Sequence, residues 1–224
     1  MKILPLKIKL FSPLFNYCRL TTGGTITSDF IGDIALNYAV NRVRKDKNFY
    51  EEFRKKPYYA ELKNLNYYFS VGKPICYEMT GIYTRNTLFN TDGFPDKEAI
   101  ESSGKNLFKN YFKVQGIRQG GEFSTCLICK DSFSEVFSKD LPFTIRLGTC
   151  RECMAIIDKD NSFDEYNKDL WLNAFSLKNI YDNLKITIQT LRSYYFEYKL
   201  ENYILIKNIT VEQAKIIFSG VFND

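Results

Sequence analysis

Residues 121–157, GEFSTCLICKDSFSEVFSKDLPFTIRLGTCRECMAII, hold the reading on which the fold turns. Three runs, EFSTCLICK, PFTIRLG and CRECMAIID, are rich in β-branched and aromatic residues and predict strands, with a turn after the first. They make 122–157 a β-hairpin region. Upstream, 85–121 is irregular and rich in Asn, Gly, Lys and aromatics, which predicts a long loop or a hairpin-like thumb inserted in the fold. At the N-terminus, KILPLKIKLF (2–11) alternates apolar and basic residues from Leu4 to Leu10, the pattern of a strand with one solvated face. Pro5 predicts either an edge position for it or a delayed start. A helix over about 30–45 follows from the stripe Ile31, Ile34, Ala35, Tyr38 and Ala39, with Ser28 and Asp29 as candidate N-caps and Arg42, Arg44 and Lys45 at its C-terminus.

Downstream, the charged stretch 46–56 reads as helical up to Pro57, and short strands are expected near 67–71 and 76–84. A helical piece is expected from Leu170 to Tyr181, and strands at 184–191 and 194–207. Thr210 then caps a closing helix, with Glu212 and Gln213 near the capping-box position. No repeat or low-complexity linker divides the chain, so 1–224 reads as one domain with strands, helices and hairpins mixed: class α+β.

With 224 residues and 45% apolar content, the chain can bury a sizeable core. Its apolar runs are short and interrupted by charge, so no membrane span is expected. Lysines at 2, 7 and 9 break the apolar stretch a secretory signal needs, which predicts a cytoplasmic protein. Histidine is absent. That excludes Ser-His-Asp triads, Cys-His dyads and Cys2His2 zinc sites, and leaves acid–base work to Lys, Tyr, Asp or Glu. The net charge of +5 permits a polyanionic partner without demanding one.

KNLFKNYFKVQGIR (105–118) is the strongest nucleic-acid candidate. Lys105, Lys109, Lys113 and Arg118 can neutralise phosphates, while Phe108, Tyr111 and Phe112 can stack on unpaired bases. The competing reading is an amphipathic segment whose rings belong to the core. Arg19, in the loop RLTTGGT, is a further RNA-contact candidate, with a closed strand–helix connection as its structural alternative, and Arg146, between Ile145 and Leu147, is a candidate to contact RNA or a partner subunit, with an arginine stem lying on its own sheet as the alternative. Gly116, Gly120 and Gly121 either approach a phosphate with their backbone N–H groups or simply form a turn. Cys126-x-x-Cys129 and Cys150-x-x-Cys153 have the spacing of a four-cysteine structural zinc site, which would staple Cys126 to Cys153 and Cys129 to Cys150 across a hairpin. Disulfides or buried free thiols are the alternatives, and no other cofactor is indicated.

Two segments, FSPLFNYCRLTTGGTITSDFIGDIALNYAVNR (11–42) and the 121–157 stretch with its LPFTIRLG, together resemble the Cas-five subunit of type I-D CRISPR effector (Cascade) complexes, the Csc group of the RAMP superfamily. The resemblance implies a ferredoxin-like, RRM-related βαββαβ core with an inserted β-hairpin thumb and extra strands. It further implies a subunit that caps the 5′ end of the guide RNA, touches the backbone and large subunits, and meets target DNA indirectly. Because a separate endonuclease matures the RNA in such systems, the subunit is expected to be non-catalytic. Two alternatives stay open: a metal-independent endoribonuclease of the same superfamily using Tyr and Lys, and a zinc-ribbon nucleic-acid-binding module.

Overall fold

A computed structural model describes residues 1–21, 24–47, 59–86, 111–148, 152–161, 169–181, 194–195 and 204–222. In chain order the elements are β1 (Lys2–Leu10), β2 (Tyr17–Thr21), β3 (Gly24–Thr27), α1 (Asp33–Arg44), α2 (Tyr59–Leu62), β4 (Tyr67–Phe69), β5 (Lys73–Cys76), β6 (Tyr83–Asn86), β7 (Tyr111–Gln115), β8 (Glu122–Cys129), α3 (Asp131–Asp140), β9 (Phe143–Leu147), β10 (Cys153–Lys159), β11 (Leu170–Asn173), α4 (Ala174–Ile180), β12 (Tyr194–Tyr195), β13 (Leu205–Ile209) and α5 (Val211–Ile217).

The main sheet has six strands in the order β4-β8-β1-β10-β9, with β5 also on β8. All its pairings are antiparallel. Strands β1 and β4 therefore run parallel, with antiparallel β8 between them, which is a split βαβ arrangement closed by α1. The class is α+β, as the mixed pattern predicts.

β1 lies in the middle of this sheet rather than at an edge. Pro5 is tolerated there because the N–H and C=O of a strand residue point the same way. The Pro5 carbonyl accepts from Asp160 N at 3.2 Å, just past the last β1–β10 pair, Leu6 with Lys159. The missing donor thus falls where the ladder already ends.

The register assigns the two faces. Leu6, Ile8 and Leu10 share one face with Phe123, Thr125, Leu127, Ala155, Ile157, Ile145, Tyr67 and Phe69. Helices α1 and α3 cover it. The turn expected after the first strand of 121–157 is the ten-residue helix α3. Its Phe137 meets Phe69 and Phe143 edge-on at 6.1 and 5.6 Å, and Phe133 stacks on Tyr67 at 5.0 Å. Arg44 at the end of α1 ion-pairs with Asp140 and lies over the Phe133 and Phe137 rings, tying the two helices together.

Among the described residues, the opposite face is covered at one end only. There Tyr68 packs against Tyr181 and Phe218 of the C-terminal layer, and Ile3, Cys126 and Ile128 are buried. That layer contains the small sheet β11-β13-β12. Thr210 and Gln213 form the expected capping box on α5, whereas 170–173 of the expected helical piece is strand β11.

Asp33 locks the layers together. It opens α1 behind Gly32, so neither Ser28 nor Asp29 is the N-cap; Ser28 instead donates to Phe30 O. Asp33 is fully buried and accepts from Tyr68 Oη at 2.5 Å and Asn173 Nδ2 at 3.3 Å. Burial pushes its carboxyl above the ordinary carboxylate range, against the pull of the Tyr68, Ser176 and Asn173 hydrogen bonds.

Among the described residues, no helix is long and apolar enough to cross a membrane.

Candidate nucleic-acid interface

The second sheet, β2-β3-β7-β6, carries most of the described candidate residues. β2 and β3 form a hairpin, β3 and β7 run parallel, and β6 pairs antiparallel with β7 from Tyr83 opposite Val114 to Asn86 opposite Tyr111. The irregular 85–121 stretch thus begins and ends in a strand pair.

Leu14 and Phe15 join this sheet to the main one. Leu14 exchanges both backbone hydrogen bonds with Ile117 at 2.9 Å. A Cβ on Gly116 would lie 2.5 Å from Leu14 O, and one on Gly148 would lie 2.7 Å from Phe15 O. Gly148, which closes LPFTIRLG, also has φ +79°, so this position favours glycine twice over. Gly120 lies in a turn, with φ +88°. Gly116 N donates to Thr80 Oγ1, Gly120 N to Leu10 O and Gly121 N to Arg118 O, so their N–H groups are already engaged.

A cleft of about 320 Å³ opens at the foot of β6 and β7, lined by Pro13, Met79, Thr80, Gly81, Tyr83, Arg118 and Gln119. Tyr83 is half exposed, its ring edge-on to Phe15 at 5.9 Å. Arg118 reaches Glu78 at 3.1 Å, but both side chains are largely exposed, so the pair is weak and exchangeable for a phosphate. Gln119 adds an amide able to read a base edge.

Of the candidates from sequence, Lys113 stands exposed on β7 and Arg118 lines the cleft. Tyr111 and Phe112 are on β7 and Arg19 on β2; their side chains, like all of Lys105, Phe108 and Lys109, lie outside the described residues. The loop expected at Arg19 is therefore a strand. Arg146 lies apart from this group, exposed on β9 of the main sheet. Tyr83, Met79 and Gln119 escaped the sequence reading, because they come to one cleft only through the β6–β7 pairing.

The structure separates the cysteines proposed as zinc ligands. Cys126 is opposite Pro5 and Cys129 opposite Lys2, while Cys153 begins β10 beyond the Leu10–Ala155 pair. β8 and β10 are not a hairpin; β1 lies between them. Cys153 is level with a point seven positions along β1 from Pro5, roughly 23 Å at 3.3 Å per residue. Cys126 and Cys129, three apart on one strand, also face opposite sides of the sheet. Cys126, Cys129 and Cys153 are buried, and burial pushes the Cys129 and Cys153 thiols up to about 12. Cys150 lies outside the described residues. Among the described residues, no group of three or more Cys, Asp or Glu is placed to hold a metal ion.

These features define an α+β protein with a split-βαβ main sheet and a second, cation-bearing hairpin sheet. The chain belongs to the type I-D CRISPR-associated protein Cas5/Csc1 family, whose model matches residues 1–219, and it is thereby a subunit of a CRISPR effector complex. Among solved structures it is similar to a chain of a type III-B Cmr-beta complex bound to cognate target RNA and AMPPnP (8% identity, 92% of this chain and 84% of that chain, TM-score 0.44). A second Cmr-beta complex bound to cognate target RNA gives 9% identity, 98% and 90% coverage and a TM-score of 0.42. A type IV-B CRISPR complex gives 10% identity, 72% and 91% coverage and a TM-score of 0.36. No curated protein matches the chain.

Proposed function

We propose that this effector subunit binds the guide RNA without cutting it, holding its 5′ end on the second sheet. One observation carries the reading. Residues 105–118, which lead into β7 and three residues past it, bring four cations and no carboxylate, with three aromatic rings. Such a run suits a single-stranded polyanion: cations track the backbone and rings stack on bases. The exposed Lys113 and the cleft at Arg118 and Tyr83 extend the same chemistry into the described part of the sheet. In this reading the main sheet is a ferredoxin-like scaffold, the β6–β7 hairpin is the thumb, the backbone and large subunits are the protein neighbours, and target DNA is met through them. The non-catalytic assignment rests on family membership, and the absence of histidine is in keeping with it.

The test is binding of the purified chain to single-stranded RNA carrying the CRISPR repeat. Saturable binding that weakens steeply with salt is expected, with the RNA recovered intact in EDTA. No binding at low salt overturns the reading, and clean cleavage in EDTA replaces it with the endoribonuclease.

A further inference from the structure

Among the described residues, the main sheet has an open face at the end the C-terminal layer does not reach. Alternation along β1 puts Lys7 and Lys9 on it. The next residue of that parity is Phe11, whose N–H donates to Met154 O at 2.8 Å. Register then sets Met154 opposite Arg146, Ile156 opposite Lys9 and Thr144, and Asp158 opposite Lys7. Phe11, Met154 and Arg146 thus form one row across three strands. Phe11 is 56% and Met154 41% exposed. Arg146 is exposed and has no hydrogen-bond or ion-pair partner among the described residues.

Charge decides which class of partner fits. Lys7 and Lys9 both hold Glu122, at 2.7 and 3.3 Å, which offsets one of their two charges and lowers the Glu122 pKa. With Asp158 added, Lys7, Lys9 and Arg146 are nearly balanced by Glu122 and Asp158. A polyanion gains little from such a surface. An apolar centre of Phe11, Met154 and Ile156 with a mixed-charge rim has instead the make-up of a protein–protein contact, in which aromatic residues, Met and Arg are enriched.

We propose that this face docks a neighbouring protein subunit of the effector complex. Phe11 enters an apolar pocket on that subunit, and one of its carboxylates pairs with Arg146. A buried aromatic and a buried arginine are the side chains that most often dominate an interface. The inference rests on membership of a multi-subunit assembly and stands independently of the RNA-binding reading.

The test places a benzoylphenylalanine photocrosslinker at position 11 in the complex purified by co-expression with its neighbouring subunits. An adduct with a different protein subunit, identified by mass spectrometry, is expected. An adduct with RNA, an adduct between two copies of this chain, or no adduct overturns the proposal. The variant Phe11→Ala with Arg146→Glu supplies a second measurement. Its incorporation into the complex should fall at least tenfold, while the melting temperature and RNA affinity of the isolated chain stay unchanged. Full incorporation overturns the proposal. A loss of RNA affinity in the isolated variant moves the face to the nucleic acid and overturns it as well.

Discussion

The main sheet's open face and the β6–β7 hairpin sheet both expose cations beside rings, yet their charge arithmetic differs. On the open face Lys7 and Lys9 converge on Glu122, and Asp158 stands opposite Lys7. In the run 105–118, Lys105, Lys109, Lys113 and Arg118 have no carboxylate among them. A count of basic residues would treat the two regions alike. What separates them is how firmly carboxylates engage the described cations: Glu122 holds both Lys7 and Lys9, whereas Arg118 has only its exposed, exchangeable pair with Glu78, which sets whether a phosphate or a protein surface gains by binding.

The comparison requires a rigid platform behind both surfaces, and the largest expected effect breaks that platform. Asp33→Ala removes the buried acceptor of the Tyr68 Oη and Asn173 Nδ2 hydrogen bonds. It should cost about 3 kcal/mol or more in urea unfolding. Asp33→Asn tests the same site through pH. The Asp33 pKa is raised in the folded protein, so its contribution is complete below the ordinary carboxylate range and is lost as pH rises through that range toward the raised value. The asparagine variant should lack this decline in a pH series of unfolding curves.

Gly148→Ala loosens the seam between the two sheets. Its positive φ and its approach to Phe15 O should cost about 1–3 kcal/mol in the same measurement. Lys113→Glu with Arg118→Glu sharpens the contrast between the surfaces. Both side chains are exposed, so the melting temperature should hold while RNA affinity falls at least tenfold. If each contacts one phosphate, the slope of log affinity against log salt should drop by about 1.4, at ~0.7 per contact on a single strand. The smallest effect separates surface from core by thiol labelling. Brief alkylation of the native protein at pH 8 should modify exposed Cys76 and spare Cys129 and Cys153, as read by peptide mapping.

Locally coded features were legible in the sequence. The alternation in 2–11, the helix α1, the three strands of 121–157 and the Thr210 capping box each rest on neighbours within a few residues, and each is present, although Ile31 precedes α1, Ala35 is exposed and the buried apolar face of the helix runs through Leu36, Ala39 and Val40. Where a tertiary partner decided, the reading missed. DSFSEVFSKD looked like a turn because its apolar positions, Phe133, Val136 and Phe137, are few; its helix is held by the rings and the arginine that Phe133 and Phe137 meet from other elements. Pro5 suggested an edge, because the sequence does not show which side of β1 the missing donor would face. The cysteine spacing suggested a hairpin staple, because it does not reveal that β1 passes between β8 and β10.

The sequence by itself determined the α+β class, the family and the cationic, ring-bearing run that leads into β7. Residue order carries those through local periodicity and composition. Only the tertiary structure decided that Phe11, Met154 and Arg146 form one row, that Tyr83, Met79 and Arg118 share a cleft, and that Cys126 and Cys153 stand far apart. Each of those facts depends on strand order and register, which arise from pairings between residues distant along the chain.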